Sequence, residues 1–181
     1  VTGPRHGPGR GAGPGAALTA AQRAALLGPV VSLPTPADTH AFGRRLAGIL
    51  RAGDLLVLTG PLGAGKTALV QGIGAGLGVG GRIVSPTFVI ARVHPGRLPL
   101  VHVDAYRLGS LAEVDDLDLD VDVAEAVTVV EWGAGLVEQL SDARLEIAVA
   151  RADDSDERTV RLLPHGGDWA ARAERAAAAG S

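Results

Sequence analysis

Apolar residues in this chain fall into short runs separated by glycine-rich or polar stretches, and the runs follow two periods. Leu55-Leu56-Val57-Leu58-Thr59 is a continuous apolar run of strand length, the pattern of a strand buried on both faces. Before it, Phe42, Leu46, Ile49 and Leu50 share one face at helical spacing. That helix starts at Thr35-Pro36-Ala37-Asp38: Thr35 can cap, Pro36 suits the first turn, and Asp38 favours the positive end. Gly53 marks its expected C-cap. Thr67 to Leu77 reads as a second helix. Phe88–Val93 and Leu100–Val103 read as strands joined into a hairpin at His94-Pro95-Gly96. Ser110-Leu111-Ala112-Glu113 is a capping box for a short helix, and Thr128–Val130 is a short buried strand. Leu145–Ala150 and Thr159–Leu163 form an antiparallel hairpin through the polar turn Asp153–Glu157. No repeat recurs. Helix, strand, helix, strand pair, short helix, strand and hairpin imply an α/β fold with a mixed sheet.

The ends differ from this middle. Val1 to about Ala17 is mostly Gly, Pro, Ala and Arg, too poor in apolar surface to offset its ordering entropy. A short helix over Ala20–Leu27 can follow, and folded structure begins near Val30. The expected organisation is a disordered tail over 1–29, one domain over 30–165, and an Ala-rich tail over 166–181, helical or disordered. The 181 residues, 46% hydrophobic, suffice for one packed domain. The absence of cysteine excludes disulfides and thiolate metal sites and suits a cytoplasmic protein. No apolar run approaches the ~18 residues of a membrane span, and the N-terminus has no signal core. A net charge of −3 argues against an autonomous nucleic-acid binder, so any RNA contact is expected through a partner.

The candidate chemistry begins between the apolar run and the second helix. Gly60-Pro61-Leu62-Gly63-Ala64-Gly65-Lys66-Thr67 matches G-x-x-x-x-G-K-[ST] at every fixed position, in the strand–loop–helix context that the motif requires. The implied fold is a three-layer P-loop NTPase-like α/β arrangement, a mixed central sheet flanked by helices. Glycines let the backbone wrap closely, so that the N–H groups of Gly60, Leu62, Gly63, Ala64, Gly65, Lys66, Thr67 and Ala68 can face phosphate oxygens. The helix N-terminus adds its positive dipole end. Lys66 would reach the β- and γ-phosphates, and the Thr67 hydroxyl would bind Mg²⁺. A plain glycine-rich turn before a helix is the alternative in so glycine-rich a chain.

Such a loop needs carboxylates to hold Mg²⁺ and water. Leu100-Val101-His102-Val103-Asp104 and Thr128-Val129-Val130-Glu131 each end an apolar strand on an acid. A carboxylate there is costly unless paired or metal-bound, which favours a metal role for Asp104. Glu131 can bind Mg²⁺ through water or orient the attacking water. Either acid could instead mark where its strand meets solvent. Ser85-Pro86-Thr87 lies where γ-phosphate-sensing loops sit, or is an ordinary loop entering a strand. Asp116, Asp118 and Asp120 do not make a calcium loop, since Val121 and Val127 replace its glycine and closing glutamate. His102 with Asp104 is too few ligands for zinc, and His102 reads as a partly buried strand residue. Trp132 can stack on a nucleotide, meet a partner, or simply pack.

The phosphate loop, Ser85-Pro86-Thr87-Phe88, His102-Val103-Asp104-Ala105-Tyr106-Arg107-Leu108 and Val130-Glu131-Trp132, in this order, resemble the bacterial TsaE (YjeE) ATPases from about Leu33 to Leu163. The loop alone is not specific to that family; the other elements at these spacings are. The resemblance implies an ATP- and Mg²⁺-binding subunit for making threonylcarbamoyladenosine in tRNA. Its partners would be TsaB and TsaD, with TsaD transferring the group and the ATPase driving a conformational or release step, activated in the complex. By the same resemblance Lys66 and Thr67 hold phosphate and metal, Asp104 and Glu131 serve metal and water, Thr87 lies in a switch-like loop, and Trp132 is functional. Tyr106 and Arg107 support the site or a partner surface, or are structural.

Two other readings stay open. A small-molecule kinase shares loop and sheet, but the arginines after the switch-like loop are scattered and form no lid. A nucleotide-gated binding module without turnover is the second, against which Glu131 argues. N-K-x-D and L-S-G-G-Q motifs are absent, which disfavours a GTPase and an ABC-type ATPase.

Overall fold

The computed structural model describes residues 30–86, 91–105, 123–132, 141–152 and 155–172. The expected N-terminal tail and its short helix, the helix after Ser110, the Asp116–Asp120 run, Thr87, and the Tyr106-Arg107 pair lie outside these residues.

The described residues form a seven-stranded mixed sheet. Its strands are β1 (Val30–Leu33), β2 (Leu55–Thr59), β3 (Ala91–His94), β4 (Leu100–Asp104), β5 (Val127–Glu131), β6 (Arg144–Arg151) and β7 (Arg158–His165), in the spatial order β1-β7-β6-β2-β5-β4-β3. The central four, β6, β2, β5 and β4, are parallel, while β1, β7 and β3 pair antiparallel. Continuous apolar runs became the central strands: every residue of β4 and β5 is buried, as two covered faces require. The hairpin strand β6 alternates, with Leu145, Ile147 and Val149 inward.

Helix α1 (Pro36–Leu46) opens with the predicted cap. Thr35 Oγ1 accepts from the Asp38 N–H at 3.2 Å, and the Asp38 carboxylate accepts from the Thr35 N–H at 3.0 Å. Helix α2 (Lys66–Gly76) packs against α1 so closely that glycine is required at the crossing. A Cβ on Gly72 would meet the His40 carbonyl oxygen at 2.2 Å. Leu69, Val70 and Ile73 of α2 join Leu56, Leu58, Val127, Val129 and Ile147 in the main core on one face of the sheet. Leu55, Val57, Val101, Val103 and Val130 make a second buried cluster from the alternate strand positions, on the other face.

Three elements differ from expectation. The short edge strand β1, hemmed between Pro29 and Pro34, was not expected as a strand; it pairs with Arg158–Arg161. The first helix does not run to Gly53. It stops at Leu46, tightens into a 3-10 turn over Ala47–Ile49, and leaves Gly53 (φ 81°) in a later turn, where its N–H donates to the Ala126 carbonyl at 2.8 Å. Packing also continues past β7. Residues 169–172 are helical, Trp169 is buried in the main core, and Arg172 donates twice to the Asp54 carboxylate, at 2.7 and 3.0 Å.

Candidate functional site

The site grows from the carboxyl ends of β2, β5 and β4. The chain leaves β2 at Thr59, turns through 60–65, and enters α2 at Lys66. Gly60 has φ 136°, and a Cβ there would meet the Val149 carbonyl oxygen at 2.0 Å, so only glycine fits between β2 and β6. Gly63 (φ 78°) and Gly65 (φ 104°) hold the other left-handed turns of the loop. The exposed tip of the loop is Leu62, while Ala64 is buried beneath it.

Parallel register sets the two acids side by side. Glu131 on β5 is level with Leu58 of β2 and Asp104 of β4, so both carboxylates lie on the α2 face of the sheet. Both are buried, Glu131 at 3% exposure and Asp104 at 5%. The Thr67 hydroxyl, one residue into α2, points to Glu131 Oε1 at 3.4 Å. His102, two residues before Asp104 on the same face, is fully buried rather than partly so, and its Nε2 is 2.8 Å from Glu131 Oε1. The sequence reading did not join His102 to Glu131; its only signal was the shared inward face two residues before a strand-end acid.

Lys66 is almost wholly buried, and its ammonium is held by its own loop. It donates to the carbonyls of Gly60 at 2.8 Å and Pro61 at 3.0 Å, and lies 3.9 Å from the centre of the Trp132 ring. Burial pushes the Lys66 pKa below the ordinary lysine value, opposed by the charges of Glu131 and then Asp104. Trp132 has φ 62°, a left-handed conformation unusual for a bulky residue, and its N–H donates to the Leu58 carbonyl at 3.2 Å.

A cavity of about 570 Å³ opens over these groups. The loop residues Leu62, Gly63, Gly65, Lys66 and Thr67 form one wall; Asp104, Glu131, Trp132 and Ser85 form the other. The structure thus brings together the loop, both strand-end acids, the indole and the first residue of the switch-like segment. Gly60, Ala64 and Ala68 do not line the cavity; the first two shape the loop from below, and Ala68 lies in the first turn of α2. Among the described residues no three His, Asp or Glu side chains cluster as a metal cage. One hydroxyl with one or two carboxylates instead fits Mg²⁺, which completes its shell with water and phosphate oxygens.

A glycine loop joining a central parallel strand to a helix, with acids at the neighbouring strand ends, defines the P-loop class of α/β proteins. The chain belongs to the TsaE family: the family model described as "Threonylcarbamoyl adenosine biosynthesis protein TsaE" matches residues 33–160. A Streptomyces coelicolor protein named tRNA threonylcarbamoyladenosine biosynthesis protein TsaE is 58% identical over 136 residues, covering 71% of this chain and 92% of its own length. The protein of that name from Bacillus subtilis is 41% identical over 133 residues, covering 72% of this chain and 82% of itself. The crystal structure of Bacillus subtilis YdiB superposes with a TM-score of 0.69 at 34% identity, covering 84% of this chain and 96% of that one.

Proposed function

We propose that this protein is the ATP-binding and ATP-hydrolysing subunit in the making of tRNA threonylcarbamoyladenosine, weak alone and activated by TsaB- and TsaD-type partners. One observation carries the reading. Lys66, Thr67, Asp104 and Glu131 converge on one cavity at the mouth of the phosphate loop. That is the set of groups phosphoryl chemistry asks for: a cation, a hydroxyl and two carboxylates around bound phosphates.

The chain's own residues divide the work. The loop's backbone N–H groups and the N-terminus of α2 would receive the phosphates. Lys66 would exchange the carbonyls of Gly60 and Pro61 for β- and γ-phosphate oxygens. Thr67, Asp104 and Glu131 would hold Mg²⁺, which when bound neutralises phosphate charge. Glu131, fixed by His102, would orient water toward the γ-phosphate. Trp132 would close the cavity wall over the lysine. The group transfer to tRNA belongs to the TsaD-type partner, and tRNA meets this chain only through the complex. No described helix is long and apolar enough to cross a membrane.

The test is Mg²⁺-dependent ATP hydrolysis by the protein alone and with a TsaB–TsaD pair. Little turnover alone that rises on adding the pair supports the proposal. Tight ATP binding without stimulation or association would overturn it and favour a small-molecule kinase, which a phosphotransfer assay with candidate acceptors would reveal.

A further inference from the structure

Past α2 the chain runs through residues 80–86 without helix or strand, and it reaches the cavity wall at Ser85. Gly80 and Gly81 are exposed, and a Cβ on either would meet nothing within 4 Å, so packing upstream does not dictate where Ser85 falls. The fixed point is Ile83, buried at 4% exposure between the exposed Arg82 and Val84. Its Cδ1 fills the notch at Gly74, 2.2 Å from where a Cβ on that glycine would stand. Its carbonyl accepts from Gln71 Nε2 at 2.8 Å. Both holds come from α2, three residues apart and so on one helix face. Ser85 follows two residues after Ile83, a reach of at most about 7 Å. Pro86 confines it further, because the residue before a proline is pressed into extended backbone.

The same face of α2 carries Thr67, one turn before Gln71. Four residues of helix set the two about 6 Å apart along the axis. One rigid element therefore holds both the Thr67 hydroxyl and the anchor of the Ser85 segment, and Thr67 and Ser85 both line the cavity. Gln71 itself does not line it, so its donor reaches the site only through Ile83. We propose that Gln71 is a positioning residue for the terminal phosphate of a nucleoside triphosphate: it keeps Ser85 at the cavity wall, where the third phosphate meets it. A diphosphate ends short of that wall, so its binding is indifferent to Gln71. This rests on the nucleotide reading of the loop and adds to it a residue outside the cavity that separates triphosphate from diphosphate.

The experiment is calorimetric titration of the full chain with Mg²⁺–ADP and with a non-hydrolysable Mg²⁺–ATP analogue, for the wild type, Gln71→Ala and Gln71→Lys. A wild type that binds neither nucleotide would overturn the reading of the loop and this inference with it. With the wild type binding both, Gln71→Ala, which keeps helix propensity and removes the donor, is expected to raise the Kd of the ATP analogue about fivefold and leave that of ADP unchanged. The unchanged ADP affinity also shows that the variant is folded. Gln71→Lys, which keeps an N–H donor on a long side chain, is expected to recover most of the analogue's affinity. Equal weakening of both nucleotides would show that Gln71 only supports α2, and would overturn this inference alone. So would an unchanged analogue Kd in the Ala variant, or a Lys variant no better than Ala. Should the Ala variant not fold, Gln71→Leu, which keeps the bulk without the donor, decides by the same comparison.

Discussion

His102 Nε2 lies 2.8 Å from Glu131 Oε1, with both side chains buried beneath the phosphate loop. The remaining ring nitrogen of His102 has no partner among the described residues, so the Nε2–H tautomer, donating to the carboxylate, is the one that this arrangement satisfies. The imidazole therefore fixes which way Glu131 faces. Partners that orient a working carboxylate are worth about 10–100-fold in activity. His102→Leu is expected to cut partner-stimulated ATP hydrolysis by about that much, with His102→Gln, which keeps a donor, falling less. Glu131→Ala is expected to abolish turnover while TsaB–TsaD association persists. Steady-state hydrolysis together with a pull-down checks both, and equal hydrolysis by the Leu and Gln variants would dismiss the orienting role.

Trp132 covers the Lys66 ammonium at 3.9 Å, and the same ammonium is held by the Gly60 and Pro61 carbonyls. Nucleotide that takes the lysine must break this contact, so the surroundings of the indole change on binding. Indole emission of the wild type is expected to shift with saturable dependence on Mg²⁺–ADP. Trp132→Phe, which leaves Trp169 as the remaining tryptophan, is expected to lose the response. A signal that survives in that variant would assign it to Trp169 instead.

What could be read from the sequence follows from how local each cause was. The phosphate loop, its flanking strand and helix, the Thr35–Asp38 cap and the β6–β7 hairpin are set by residues within a few positions of one another, and each formed where expected. Asp104 and Glu131 were legible because an acid ending an apolar run is locally anomalous. The long-range pairs were not legible. Nothing near His102 points to Glu131, 29 residues on, and nothing near Arg158 points to Gly65; the sheet order creates both contacts. The contacts made after β7 were hidden in the same way. An Ala-rich composition hid that Trp169 and Arg172 reach back to the core and to Asp54. Gly53 looked like a cap on residue type alone, whereas the helix had already tightened at Ala47.

The α1–α2 crossing fixes the helix that carries Lys66 and Thr67. A Cβ on Gly72 would sit 2.2 Å from the His40 carbonyl oxygen, and one on Gly43 would sit 2.5 Å from that of Leu69. Both obstacles are backbone, so a rotamer change cannot relieve them. Gly72→Ala is expected to destabilise the fold by about 1–3 kcal/mol despite alanine's better helix propensity. Gly48→Ala, where an added Cβ meets nothing within 4 Å, is the matched control and should stay near wild type. Urea unfolding measures both; a tolerated Gly72→Ala would mean that the helices can slide apart freely.

Arg172 ties the end of the described chain to the turn before β2. Its guanidinium donates to both oxygens of Asp54 and to the Ile49 carbonyl at 2.9 Å, while its planar group lies 4.0 Å from the Trp169 ring centre. Removing one member of a buried pair leaves the other charge uncompensated. Arg172→Ala is expected to cost about 3 kcal/mol, and a chain ending at His165, which also loses Trp169, more. Denaturant midpoints of the two against wild type check this. A truncated chain as stable as the full one would show that folding is complete at β7.

His94, at the end of β3, is buried with its Nε2 unpartnered among the described residues. Burial first, then the His102 ring and the Arg92 charge, hold its pKa below the ordinary imidazole value of 6.5. The sign follows from which state binds the proton. Above pH 6.5 neither the folded nor the unfolded chain protonates His94, and it adds no slope to stability. As pH falls below that value the unfolded chain takes up the proton while the folded one resists, so stability declines until the folded pKa is reached. His94→Asn removes the titration. Urea unfolding at about pH 8 and about pH 5.5 should therefore show a larger loss in the wild type than in the variant. The remaining ionisable side chains are common to both proteins, so the comparison isolates His94. Equal losses would show that His94 takes its proton in the folded state as readily as in the unfolded one.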